Sequence, residues 1–131
     1  MATYMEFEKF VKSEYGAGAS KDAPAGFMKL EVPLGSRSQL VFFARCGTDT
    51  VGEAVTLLSF VGEVKGSKLV EALTKATDLV IGGLVICNDK LALKHTILLE
   101  NVDENEITIP LIAIAVTADV FEKQYVGGDE H

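Results

Sequence analysis

Between Phe27 and Val64 three successive strand-like segments, the first alternating apolar with polar side chains, constrain the fold more than any other feature. In Phe27–Leu34, Met28, Leu30 and Val32 alternate with Lys29 and Glu31, the pattern of a half-buried strand. Gly35–Ser36 turns the chain into a second strand, Ser38 to Cys46. Leu40, Phe42 and Ala44 share one of its faces; Gln39, Val41, Phe43 and Arg45 share the other. A loop over Gly47–Gly52 leads to a third strand, Glu53–Val64, in which Gly62 marks a bulge or bend. Three strands with short connections predict an antiparallel meander.

The flanking segments change period. Tyr4, Phe7 and Val11 recur at helical spacing, so Thr3–Tyr15 reads as a short amphipathic helix. Gly16–Gly26, small and polar, is a flexible connection. Ser67 can cap a helix running to about Asp78, with Leu69, Val70 and Leu73 as its apolar stripe. Gly82-Gly83 precedes a fourth strand, Leu84–Cys87, and Asn88-Asp89 turns tightly into a fifth, Lys90–Leu99. Asp103 with Glu106 resembles a capping box, and Ile107, Leu111, Ile114, Ala118, Phe121 and Tyr125 keep helical steps. Against that, residues 107–116 are rich in β-branched side chains and include Pro110, so they read as a kinked or restarted helix, or as strand. The expected class is α+β: a twisted, mainly antiparallel sheet of about five strands, in the order α-β-β-β-α-β-β-α. The chain reads as one domain over residues 1–126 with a flexible acidic tail at 127–131.

Composition mainly excludes. The 131 residues are 48% hydrophobic and 24% charged, as in an ordinary folded globule. The net charge of −7 divides into −1 over residues 1–65 and −6 over residues 66–131. Such a surface repels phosphate backbones, which argues against nucleic acid and would suit a basic partner segment. No apolar run reaches the roughly 20 residues of a membrane span, and Met1–Phe10 lacks the regions of a signal peptide. Two distant cysteines point to a reducing cytoplasm.

In the second half, a helix with Leu69-Val70 and Leu73 is followed by a glycine-led strand (Gly82-Gly83-Leu84-Val85-Ile86) and an Asn88-Asp89 hairpin. Leu91, Leu93 and the strand end Leu98-Leu99 come next, then a final helix from Asp103-Glu104 with Ala118-Asp119 late in it. Over residues 66–125 this resembles the YbjN-like family, which shares its fold with class I type III secretion chaperones; over the first half only the element order is similar. The resemblance implies a helix-packed antiparallel sheet, usually a homodimer, that binds protein or peptide in the bacterial cytoplasm. It offers no catalytic residues and no cofactor, and does not by itself imply secretion.

The residues themselves also favour pairing. The third strand is apolar on both faces, and Ile109, Ile112, Val116 and Val120 make a second apolar row in the final segment. Symmetric pairing would cover such surface, as would a terminal helix folding back. The leading functional expectation is a non-catalytic module that takes a protein or peptide segment at a strand edge. Phe27, Lys29 and Val32 at that edge, with Phe42, Phe43 and Phe60, are the candidate partner-binding residues. The rival expectation is a thiol enzyme or ligand sensor with a pocket around Cys46, Cys87 and His95, where Arg45 would favour the Cys46 thiolate. His95 is in phase with Leu91, Leu93 and Ile97, which fits a core-edge histidine better than a catalytic one. Gly16–Lys21 lacks the glycine a phosphate loop needs before its lysine. Asp103–Thr108 lacks the turn glycine and terminal glutamate of a calcium loop. No metal site or catalytic carboxylate pair is expected.

Overall fold

Thr3 opens the first helix: its hydroxyl oxygen accepts from the Glu6 backbone N–H at 3.2 Å, and Gly16 closes the helix in the left-handed region. In the computed structural model, which describes residues 3–50 and 52–126, this helix is α1 (Tyr4–Tyr15). The meander follows as β1 (Met28–Leu34), β2 (Arg37–Thr48) and β3 (Gly52–Gly62). Next come α2 (Ser67–Lys75) with a 3-10 turn at Ala76–Asp78, the hairpin β4 (Gly83–Cys87) and β5 (Lys90–Leu98), and α3 (Asn105–Tyr125). The fold is α+β, an antiparallel five-stranded sheet with three helices in the order α-β-β-β-α-β-β-α. The acidic tail at 127–131 lies outside the described residues. No helix among those described is long and apolar enough to cross a membrane.

The strands lie in the order β1-β2-β3-β5-β4, all neighbours antiparallel. Asn88 and Asp89 take φ of 52° and 63°, the left-handed pair that a two-residue hairpin requires. One face of the sheet carries the main core. Phe7 and Val11 of α1 and Ile107, Leu111 and Ala115 of α3 close over Leu30, Val32, Val41, Phe43, Val55, Leu57 and Ile97. A second cluster joins Val61, Leu91 and Leu93 to Ile114, Ala118, Phe121 and Tyr125 of α3 and to Ala72 of α2. The other face holds Phe42, Leu58 and Ala92, with Leu40, Phe60, Val85 and Cys87 beside them and Ala23 and Phe27 leaning over from the N-terminal connection.

Two local expectations are corrected. Ser67 is the first helical residue of α2 rather than its cap, and Gly66 precedes it without a side-chain capping bond. In the expected α2 stripe only Leu69 leans on the core; Ala72 is the buried contact, and Val70 and Leu73 face outward. The open question over residues 107–116 resolves as helix, with Pro110 inside α3. Burying Ile107, Leu111, Ile114 and Ala118 outweighs the weak helix propensity of the β-branched residues around them. The proline costs one backbone bond, the one its N–H would have given to Glu106, whose exposed position lets water serve that carbonyl.

Candidate functional site

The central strands do not stay paired to their ends. The β2–β3 ladder stops at Phe42↔Leu58, while β1–β2 continues to Leu34↔Arg37 and β3–β5 continues to Gly62↔Leu91 past a register shift between Phe60 and Gly62. Gly62 takes φ +126°, and this bulge swings β3 toward β5 and away from β2. Side chains bridge the parted strands. The Ser59 hydroxyl donates to the Leu40 carbonyl at 2.7 Å, and Gln39 Nε2 donates to Ser59 Oγ at 3.2 Å and to the Phe60 carbonyl at 3.3 Å. Ser59 is fully buried on the core face between Leu57 and Val61.

A cavity of about 640 Å³ occupies this parting. Ser38, Gln39, Leu40 and Phe42 form the β2 bank, and Phe60 through Glu63 form the β3 bank. Asn88 and Lys90 reach it from the β4–β5 turn, Glu122 and Val126 from the end of α3, and Asp22 from the N-terminal connection. Phe42 and Phe60 meet edge-to-face across it, ring centroids 5.7 Å apart. The end of α3 is held over this corner by the Arg37–Asp119 ion pair. The result is an apolar floor with a polar rim, the usual make-up of a recognition site.

Of the candidate partner-binding residues, the structure brings Phe42 and Phe60 together in the cavity and sets Phe27 in the same open-face cluster. Val32 and Phe43 point the other way, into the main core at 1% and 0% exposure, because strand alternation puts them opposite Phe42. They are core residues, not binding residues. Lys29 lies on the β1 edge, but its backbone is already engaged: its N–H donates to the Gly18 carbonyl at 2.8 Å, and its carbonyl accepts from the Gly18 N–H at 2.9 Å. The edge expected to receive a partner strand is therefore covered at Lys29 by the chain's own N-terminal connection. Pro33, four residues on, has no N–H to offer.

Cys46, Cys87 and His95 do not converge. Cys46 and Cys87 share the open face but sit on β2 and β4, three strand spacings or roughly 14 Å apart across the sheet. Their cross-strand rows also meet β5 at opposite ends, Leu98 for Cys46 through Ala54 and Lys90 for Cys87. His95 lies on the helix-covered face, half-buried, and burial lowers its pKa from the ordinary histidine value. Arg45 faces away from Cys46 and pairs with Glu53 at 2.7 Å, while the Cys46 sulfur accepts from the Thr56 hydroxyl. No cluster of three metal-ligating side chains occurs among the described residues.

Sequence reasoning missed Gln39, Ser59, Lys90 and Glu122. The usable signal was Ser59, a lone hydroxyl on an apolar strand face three residues before the bulge glycine. No family model matches the chain, and no curated protein matches it.

Proposed function

We propose that the chain is a non-catalytic binding module that holds an extended segment of a protein or peptide partner in the cleft between β2 and β3. The observation that carries this reading is the parting itself. Two strands separate beside the facing rings of Phe42 and Phe60, with polar groups on both banks and apolar surface between them. An extended segment suits such a cleft, since its backbone can meet the strand banks while alternate side chains enter the apolar floor. The resemblance to the YbjN-like family and the class I secretion chaperones supports the same kind of activity, in a bacterial cytoplasm where two unpaired cysteines are at home. With Cys46, Cys87 and His95 dispersed, the thiol-centred alternative loses its geometric basis.

The test is a random peptide library selected on the wild-type protein, its enriched peptides then titrated against Phe60→Ser and Gln39→Ala. Affinity should fall at least about tenfold for Phe60→Ser, as for an aromatic anchor at the centre of an interface. Enriched peptides that bind both variants as tightly as wild type would place the binding surface elsewhere.

A further inference from the structure

All three helices pack against one face of the sheet. On the other face Phe42, Leu58 and Ala92 are nevertheless only 4%, 3% and 0% exposed. Their cover comes from neighbouring strand side chains and from Ala23 and Phe27 of the connection between α1 and β1. The same connection brings Asp22 to the wall of the β2–β3 cavity. A loop of the chain itself therefore lies on the apolar surface beside the cleft.

Its fastening is slight. Near one end Gly18 pairs with Lys29 through two backbone bonds of 2.8 and 2.9 Å, and at the other Phe27 leads directly into β1. Between them the hydrogen bonds close within the segment. The Asp22 N–H donates to Ser20 Oγ at 3.2 Å, the Ala23 N–H to the Ser20 carbonyl at 3.4 Å, and the Phe27 N–H to the Pro24 carbonyl at 3.0 Å. Lifting the segment would keep all three. None of residues 19–26 is fully buried, so the apolar contact given up would be small, as in segments that open locally. Gly26, at φ +84° with open space where a Cβ would stand, supplies the turn at the hinge.

We propose that residues 19–26 form a displaceable strap, an internal competitor that a partner's segment must lift before it can occupy the cleft and the surface of Phe42 and Leu58 beside it. The inference rests on the reading that the cleft holds an extended segment, and adds what that segment displaces. While the strap is down the surface is covered, so the observed affinity is the intrinsic one reduced by the open fraction. The exchange is favourable only where the incoming segment buries more apolar surface than the strap gives up. The strap offers the methyl group of Ala23; a partner that replaces it carries a larger aliphatic or aromatic side chain at that point. Phe27, anchored next to the first residue of β1, stays behind as the wall of the opened site.

Two variants loosen the strap without altering the cleft. Ala23→Asp places a carboxylate against apolar surface, and Ala23→Gly with Pro24→Gly removes the contact without adding charge. Both positions are partly in water, and circular dichroism checks that the fold persists. Peptides enriched from the random library on wild type should bind each variant at least about fivefold more tightly. Spin labels at the exposed positions Ala25→Cys and Glu71→Cys, in a Cys46→Ser, Cys87→Ser background, should move apart when the same peptides are added. Peptides that depend on Phe60 yet bind wild type and both variants equally overturn the strap and leave the cleft reading standing, and so does a label distance that peptide does not change. Enrichment of peptides on the loosened variants alone would support the strap. If no form enriches a peptide, the cleft reading fails and the strap, with nothing to compete against, falls with it.

Discussion

Ser59 shows how much one hydroxyl can carry. It is buried with its proton committed to the Leu40 carbonyl and its oxygen accepting from Gln39, at the point where backbone pairing between β2 and β3 has stopped. Removing it takes this donor from the Leu40 carbonyl and leaves the Gln39 amide only its bond to the Phe60 carbonyl. Ser59→Ala should therefore destabilise the fold by about 1–3 kcal/mol in urea titration and weaken any ligand held by the cleft. His95 supplies a second test. Its folded pKa lies below the unfolded value because burial disfavours the cation, so the unfolded chain binds its proton first as pH falls. The stability present above the unfolded pKa of about 6.5 should decline below it, and the decline should continue through the folded pKa. Carboxylates titrate as pH drops further, so the informative quantity is the difference between wild type and His95→Asn. If both lose stability in parallel across that window, the histidine is not responsible. The sequence revealed His95's face correctly from its phase with Leu91 and Leu93. It could not reveal the pairing of Gln39 with Ser59, because residues on different strands meet only when the register is known.

The element scale is where the sequence was most and least informative. The first strand was legible because Met28, Leu30 and Val32 alternate with Lys29 and Glu31, and the Asn88-Asp89 hairpin was legible because few residue pairs accept two positive φ values. The facing of α2 was not. Val70 and Leu73 satisfy helical spacing as well as Leu69 and Ala72 do, and only the position of α3 decides which pair is buried. The character of α3 was legible in its apolar steps despite Pro110, and the Asp103 signal holds: its carboxylate accepts from the Glu106 N–H at 2.9 Å. Asp103→Ala should lower stability by about 1 kcal/mol, the usual worth of such a cap. Gly82 is a more severe constraint. It has φ +83°, and a Cβ there would come within 2.5 Å of Ile114 Cδ1 and 3.3 Å of the Lys94 carbonyl. Gly82→Ala should cost about 1–3 kcal/mol, combining backbone strain with displacement of Ile114 from the core. A melting temperature unchanged from wild type would show that the approach of β4 to α3 is looser than described.

At the scale of the whole molecule, the sheet has two unlike margins. The β1 margin is engaged by Gly18 at Lys29 and interrupted by Pro33, whereas β4 consists of Gly83, Leu84, Val85, Ile86 and Cys87, without a charge or a proline, and Ile86 is 59% exposed. Ile86→Lys should leave stability within about 0.5 kcal/mol of wild type while raising the concentration at which the protein begins to scatter light. Lys29→Pro should instead destabilise the fold, since it removes the N–H that binds the Gly18 carbonyl. The asymmetry bears on how far such molecules can propagate. A subunit with two sticky margins can string into a filament without limit, because every addition recreates the end it consumed. With one margin shut by its own N-terminal segment, growth through the sheet terminates after a single step: two copies joined at β4 would present only closed borders to a third. The short Gly18 bridge thus caps the stoichiometry of strand-to-strand assembly at two, and a variant that releases it would be the one to watch for fibres.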